Sequence, residues 1–339
     1  MAKKRRSALK FLFTLIVLGV LALMGFRFLR SSCVEQTTKI YIPSGSSYQG
    51  VIDTLEAAGV KKIDLISLLG RLKGADKNVR AGYYVLYEGA NMVGIVNKLR
   101  SGAQTPVRIT FNNIRTVEQL SARIAEQIEA DSASIASHLK NPEAARKYGL
   151  KSGEMIGLFI PNTYEVWWTS TPEELTDRME DEWNKFWNES RTKKLARTGL
   201  SKMEVITLAS IIYEETKNVG EMPKIAGVFI NRLRKGIPLQ SCATAKYALG
   251  DFSLKRVLYE HTQVKSPYNT YINRGLPPGP ICTPSIATID AVLDYTSHNY
   301  LYFCAKEDFS GTHNFATTLS EHNSNSKRYH AALKKAGIK

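Results

Sequence analysis

The sequence predicts an α+β protein: small βα units followed by a mixed α+β domain, carried behind a single N-terminal transmembrane helix. Three observations support this. Residues 11–26, FLFTLIVLGVLALMGF, hold no charge. Between residues 39 and 128, β-favouring runs alternate three times with capped amphipathic patterns. Beyond residue 150, helical patterns mix with a strand-like run and a turn-rich, proline-rich loop.

Sixteen apolar residues make about 24 Å of helix, slightly short of the ~30 Å hydrocarbon core. Leu9, Phe28 and Leu29 extend the apolar surface, and Lys10 and Arg27 can snorkel. Lys3, Lys4, Arg5, Arg6 and Lys10 precede the segment, with only Arg27 and Arg30 just after it. This asymmetry keeps the N-terminus cytoplasmic and exports the chain beyond about residue 30. The expected location is therefore the inner membrane, single-pass, with the main domain outside the cytoplasm. A cleaved signal peptide is the alternative, but Phe28, Leu29 and Arg30 stand where a cleavage site needs small residues. Ser31-Ser32-Cys33 makes a poor lipid-attachment site because Arg30 spoils its approach.

The net charge of +15, from 46 Lys and Arg against 31 Asp and Glu, implies an anionic partner. There is no long basic stripe and no nucleic-acid fingerprint, so nucleic acid is not expected. Cys33, Cys242, Cys282 and Cys304 lie on the exported side, where disulfides form, and their pairing is open. No CxxC or HExxH occurs and the six histidines lack ligand spacing, so neither a metal nor a cofactor is expected.

After the anchor (residues 1–34), residues 35–105 read as a small module, 106–150 as a connecting βα region and 151–339 as the main domain. The first βα unit, KIYIPSGSSYQGVIDTLEAAG (39–59), breaks at Pro43 and Gly45, and Ser46 or Ser47 then caps a helix carrying Val51, Ile52 and Leu55. The second (82–102) has Asn91 as cap and Ile95, Val96 and Leu99 as its stripe. In the third (107–128), Thr116 and Gln119 form a capping pair ahead of Leu120, Ile124 and Ile128. Thr171-Pro172-Glu173-Glu174 opens a helix whose Leu175, Met179, Trp183, Phe186 and Trp187 face a core. In GLFIPNTYEVWW (157–168), Trp167 and Trp168 cannot both face one core if extended.

Ser201 and Glu204 start another helix, KMEVITLASIIYEET. Leu208, Ile211 and Ile212 precede Glu215 by seven, four and three positions, so Glu215 extends their apolar face. Glu214 instead continues the line of Thr207 and Ser210, read as the wetter side. A carboxyl among apolar neighbours resists ionisation, keeps its proton near neutrality and can protonate a leaving oxygen. The alternative is an ion pair with Arg232 or Arg234. The helix at 222–234 turns Ile225, Val228, Phe229 and Leu233 inward. The loop at 266–285 then carries five of the chain's twelve prolines and sets Tyr268, Asn269, Thr270 and Tyr271 side by side. A rigid loop presenting rings, an amide and a hydroxyl suits sugar; a plain covering loop is the other reading.

LASIIYEET (208–216), VFINRL (228–233), LQS (239–241), SPYNTY (266–271) and GLPPGPICTPS (275–285) resemble, in order and spacing, the YceG-like endolytic murein transglycosylase family. The closing YLYFCAKEDFSGTHNFATTLSEHN resembles that family's last segment, with His313 and Asn323 at its positions. IYIPSGSSYQGVIDTLEAAGV and GYYVL resemble its LysM-like N-terminal part. The family pattern A-S-I-V-E-K-E-T places its second glutamate on Glu215, while Tyr213 replaces the first. Ser241-Cys242 stand where relatives often carry threonine and aspartate. Nearness of these motifs allows a Cys242–Cys282 bridge.

The resemblance implies cleavage of the MurNAc–GlcNAc β-1,4 bond of peptidoglycan without water, with Glu215 as catalytic acid and a 1,6-anhydro ring as product. Asn231, Gln240, Ser241, Tyr268, Asn269, Thr270, Tyr271 and His313 are the expected substrate-binding residues. It also implies termination of nascent strands, with peptidoglycan synthases as partners. A lysozyme-like hydrolase using the same acid and a non-catalytic peptidoglycan-binding scaffold are the alternatives.

Overall fold

Two short strands, one alternating in burial and one buried throughout, organise the N-terminal part of the chain. In the computed structural model, which describes residues 2–254 and 256–337, helix α1 (Ala2–Leu29) leads to strand β1 (Thr38–Ile42). Its segment Phe11–Leu29 is long and apolar enough to cross a membrane, and none of that stretch is buried against protein. Helices α2 (Tyr48–Ala57) and α3 (Ile63–Leu72), strand β2 (Gly82–Leu86) and helix α4 (Met92–Ser101) follow. β1 and β2 pair antiparallel, from Thr38 opposite Leu86 to Ile42 opposite Gly82. Ile40 and Ile42 point inward and Lys39 and Tyr41 outward, as a period of two requires. Val51, Ile52 and Leu55 of α2 and Ile95, Val96 and Leu99 of α4 complete the core with Ile66 and Tyr84. Each fully buried aliphatic side chain contributes about 1.5–3 kcal/mol. Ser47 and Asn91 cap α2 and α4 by accepting the N–H of Gly50 and Gly94.

This first compact unit extends to Arg108 and includes Gln127–Glu129 and Glu165–Ser170; the second comprises Ile109–Glu126, Ala130–Tyr164 and everything from Thr171. Strand β3 (Val107–Phe111), helices α5 (Val117–Ala125), α6 (Ser132–Lys140) and α7 (Pro142–Lys147), a 3-10 turn (Ser152–Leu158) and strand β4 (Asn162–Val166), which pairs with β3, come next. Trp167 is exposed, and Trp168 meets Tyr41 edge-on at 5.2 Å, so the two indoles do part company.

The second unit is dominated by helices α8 (Pro172–Phe186), α9 (Glu189–Thr198), α10 (Lys202–Glu215), α11 (Met222–Arg234), α12 (Cys242–Leu249) and α13 (Ile286–Leu293). A hairpin of β5 (Tyr302–Ala305) and β6 (His313–Ala316) and a long helix α14 (Leu319–Lys335) close the chain. α8 buries Leu175, Met179 and Trp183, with Trp187 just past its end. α10 is the hub, packing against α11, α12 and α13. Every residue from Val205 to Ile212 is buried, Thr207 and Ser210 included, as befits a helix surrounded on all sides. The wetter face expected along Thr207 and Ser210 therefore does not exist. Ser210 satisfies its hydroxyl on the Thr207 carbonyl and accepts the N–H of Ile281.

Candidate active site

Glu215 is the last residue of α10, where the helix leaves the core and reaches a groove of about 410 Å³. The capping box predicted at the other end is complete: Ser201 Oγ accepts the Glu204 N–H at 3.3 Å and Glu204 Oε2 accepts the Ser201 N–H at 2.7 Å. Gln240, Ser241, Cys242 and Tyr271 line it together with Phe229, Arg232 and Tyr302, and with His322 and Asn323 from α14. Glu215 also lines a second cavity of about 240 Å³, with Arg115, Glu214, Lys246, Tyr247 and Phe252.

Burial pushes the Glu215 carboxyl above the ordinary carboxylate range. The Ser241 hydroxyl, which donates to Glu215 Oε1, opposes that shift, as do the backbone N–H of Ala243 and the charges of His313 and Lys246. The two influences suit a group that must first hold a proton and then carry charge. Ser241 caps α12 while it does so, accepting the Ala243 N–H at 3.2 Å. The first turn of α12 thus aims at the carboxyl, where partial positive charge favours the ionised form.

The ion pair offered as the alternative for Glu215 is not made. Arg232 donates to the Leu239 carbonyl at 2.7 Å and to Gln240 Oε1 at 2.9 Å, and Arg234 reaches the Tyr295 hydroxyl at 3.0 Å. Glu214 keeps some exposure, with 17% of its side chain accessible, but it is not free in water. Arg115 Nη2 donates to its Oε2 at 2.9 Å, while Oε1 is buried with no partner among the described residues.

The expected substrate-binding residues divide. Gln240, Ser241 and Tyr271 line the groove. Gln240 adopts φ 54°, an uncommon conformation for a side-chain-bearing residue, held by its N–H on the Thr270 carbonyl and its amide oxygen on Arg232. Asn269 and Thr270 are fully buried and serve the loop itself. Asn269 Nδ2 donates to the Thr262 and Val264 carbonyls, and Thr270 Oγ1 accepts the Ser241 N–H. Tyr268 packs its ring on Tyr247 at 4.8 Å. Asn231 Nδ2 donates to the His298 and Tyr300 carbonyls at 2.7 and 3.0 Å, securing the approach to β5. His313 Nδ1 lies 2.9 Å from Glu221 Oε2, and its backbone N–H donates to Oε1 of the same carboxylate. It lines neither hollow at Glu215.

All four cysteines are free thiols. The Cys242–Cys282 bridge is not formed, because the two side chains have separate partners. Cys242 Sγ lies 3.1 Å from the Tyr271 hydroxyl, and Cys282 Sγ donates to the Ser210 carbonyl. Burial raises both thiol pKa values, keeping them protonated. No group of histidine, cysteine, aspartate and glutamate able to hold a metal occurs among the described residues.

Sequence reasoning missed Arg115, Lys246, Tyr247, Phe252, Tyr302 and His322. One signal was legible: Thr318 and Glu321 form a capping box that opens α14 and sets His322 beside Asn323. The proline-rich loop places Arg115: Thr283 N–H donates to the Ile114 carbonyl at 2.7 Å, and the Ile114 N–H donates to Thr283 Oγ1 at 2.9 Å.

Glu215, a carboxyl with a raised pKa, thus lines two polar, ring-lined hollows, with Glu214 beside it in the smaller one. Comparison with known proteins agrees in family. The YceG-like family matches residues 40–328, and the chain belongs to that family. An endolytic murein transglycosylase of Bacillus subtilis strain 168 is 31% identical over 312 residues, spanning 87% of this chain and 85% of that protein. An endolytic murein transglycosylase of Streptococcus pneumoniae D39 is 29% identical over 358 residues, spanning 94% of this chain but 64% of that longer protein. A crystal structure of a YceG-like protein from Listeria monocytogenes aligns with a TM-score of 0.56 at 29% identity, covering 85% of this chain and 98% of that one.

Proposed function

We propose that this protein is an endolytic lytic transglycosylase that cuts the MurNAc–GlcNAc β-1,4 bond of peptidoglycan and leaves 1,6-anhydroMurNAc ends. The observation that carries this reading is the single carboxyl of the groove: Glu215 resists ionisation through burial, and no other described residue lining that groove bears a carboxylate. Glycosidases that use water pair two carboxylates across the bond. One suffices if the substrate supplies its own nucleophile. Glu215-COOH protonates the bridging oxygen, and the GlcNAc end leaves. The MurNAc 2-acetamido group stabilises the cation at C1. Glu215-COO⁻ then takes the proton of the same sugar's 6-OH as O6 bonds to C1. The acid is regenerated with no water consumed. Ser241 and the Ala243 N–H hold the carboxylate between the two proton transfers.

Gln240 and Tyr271 contact sugar, while Asn231, Asn269 and Thr270 hold the loops that present them. α1 anchors the chain in the inner membrane, N-terminus inside, with residues 151–339 catalytic on the outer side and 106–150 connecting. Residues 35–105 act as a LysM-like glycan-binding module, a reading supported by their order β1-α2-α3-β2 with β1 paired to β2. Release of nascent strands beside peptidoglycan synthases fits such an anchored enzyme.

The test is the mass of the ends. Uncrosslinked glycan digested by the full chain in detergent should yield fragments one water lighter than reducing-end products. Reducing ends would identify a hydrolase instead, and intact glycan would leave a binding scaffold.

A further inference from the structure

Cys33 and Val34 are buried in the core of the first unit, while the apolar segment of α1 ends at Leu29. Only Arg30, Ser31 and Ser32 stand between them, a span of at most about 14 Å. The junction is pinned as well as short. The Cys33 N–H donates to the Ala90 carbonyl at 2.8 Å, and the Lys61 N–H donates to the Cys33 carbonyl at 2.8 Å. Lys62 Nζ donates to Ser31 Oγ and lies 4.8 Å from the centre of the Phe28 ring. With α1 in a bilayer, this unit rests on the membrane surface and cannot stand off it.

Lys62 is also the residue from which α3 starts, one lysine side chain away from Phe28. The helix runs for about 15 Å and turns Ile66 and Gly70 into the core. Its other side carries Leu65, Leu68 and Leu72, which are 39%, 56% and 76% exposed. Spaced three and four apart, they form one stripe within about 60° of the helix circumference. Asp64 and Arg71 edge the stripe, and Lys61, Lys62 and Lys73 flank the helix ends. Tyr87, 64% exposed, adds a ring in the turn whose Gly89 N–H donates to the Val34 carbonyl at 2.9 Å. An amphipathic helix with leucines on one face and cations around them settles at the boundary of headgroups and acyl chains.

We propose that α3 is a second membrane contact, lying in the leaflet surface from which α1 emerges. Leu65, Leu68 and Leu72 enter the upper acyl chains, and Lys61, Lys62 and Arg71 meet lipid phosphates. The occupant is lipid because the bilayer is the apolar phase that α1 itself brings to this end of α3. Residues 35–105 are then a surface-bound module with a fixed face towards lipid, not one swinging on a tether. The contact rests on the reading of α1 as a membrane anchor.

The test reconstitutes the full chain in nanodiscs of phosphatidylcholine and phosphatidylglycerol, with ordinary or brominated acyl chains, and compares tryptophan emission. Wild type supplies the baseline. In Leu68→Trp the added emission should fall by roughly half in brominated discs, as for a ring about 5–10 Å below the headgroup boundary. Adding Leu65→Ser and Leu72→Ser should remove most of that loss, since the stripe and not the new ring drives insertion. All three leucines are exposed, so the substitutions leave the core of the unit intact. Equal added emission in the two kinds of disc overturns the proposal, as a stripe covered by a second copy of the chain would give. Quenching that persists undiminished with both serines overturns it too. A chain that elutes apart from the discs removes the anchor and this contact together, whereas one that co-elutes unquenched removes the contact alone.

Discussion

Replacing Ser241 by alanine tests whether Glu215 is tuned to work as an acid and then as a base. Two contacts are lost together: the hydroxyl that donates to Glu215 Oε1 and the oxygen that accepts the Ala243 N–H at 3.2 Å. A hydrogen bond to a neutral partner contributes about 0.5–1.5 kcal/mol, and one to a charged partner about 1.5–3 kcal/mol. The bond therefore favours carboxylate over carboxylic acid by roughly 1–2 kcal/mol, which is about a 5- to 30-fold loss of kcat if the carboxylate forms on the reaction path. Because Ser241 lowers the Glu215 pKa against burial, its removal should also move the alkaline limb of the rate profile to higher pH. Loss of the cap costs a further ~1 kcal/mol in Ser241→Ala and only a few tenths in Ser241→Gly. Comparing the two separates helix damage from chemistry, and Ser241→Thr should restore both. The assay is release of soluble fragments from uncrosslinked glycan across pH, with melting curves beside it. Wild-type kcat and an unmoved pH profile in Ser241→Gly would refute the reasoning.

Other outcomes follow from the same contacts. Glu215 is an acid whose folded pKa is raised, so the stability it permits is complete below the unfolded carboxyl value of about 4.3 and is lost as pH rises towards the folded value. Glu215→Gln, with no charge to bury, should therefore melt higher than wild type near neutral pH and no higher near pH 4; parallel Tm curves would contradict this. Asn231→Ala leaves the His298 and Tyr300 carbonyls without their donor and should cost about 1–3 kcal/mol in denaturant unfolding. In Gly279→Ala a Cβ would lie 2.2 Å from the Gly153 carbonyl oxygen, which is backbone and cannot swing away. Overpacking of about 1–3 kcal/mol should lower both Tm and activity, because the loop also fixes Arg115 through Ile114 and Thr283. An unchanged Tm would show that the loop yields.

What the sequence could reveal was what local chemistry decides. Caps at Thr171, Ser201 and Asn91 and the stripes of α2, α4 and α8 depend on residues three or four apart, and the structure reproduces them. The raised pKa of Glu215 was legible because one helix carries both the carboxyl and its apolar neighbours. The neighbours of Glu214 were not, because Arg115 arrives from 99 residues away and the polar line Thr207–Ser210 is buried by elements far along the chain. Asn231 and Asn269 illustrate the opposite error. An amide beside a loop suggests a ligand contact, yet each Nδ2 here answers two backbone carbonyls that only the folded chain brings near. α14 contributes His322 and Asn323 to the groove with its identity set by a capping box and its placement set by packing on β5.

The proposed reaction stands or falls with one proton on Glu215. Purified full chain and its Glu215→Gln variant, matched by melting curve, are incubated with labelled nascent glycan, and the fragments are weighed. Wild type should give anhydro-ended pieces and the variant none above background. Scission that continues undiminished with the amide in place would contradict it.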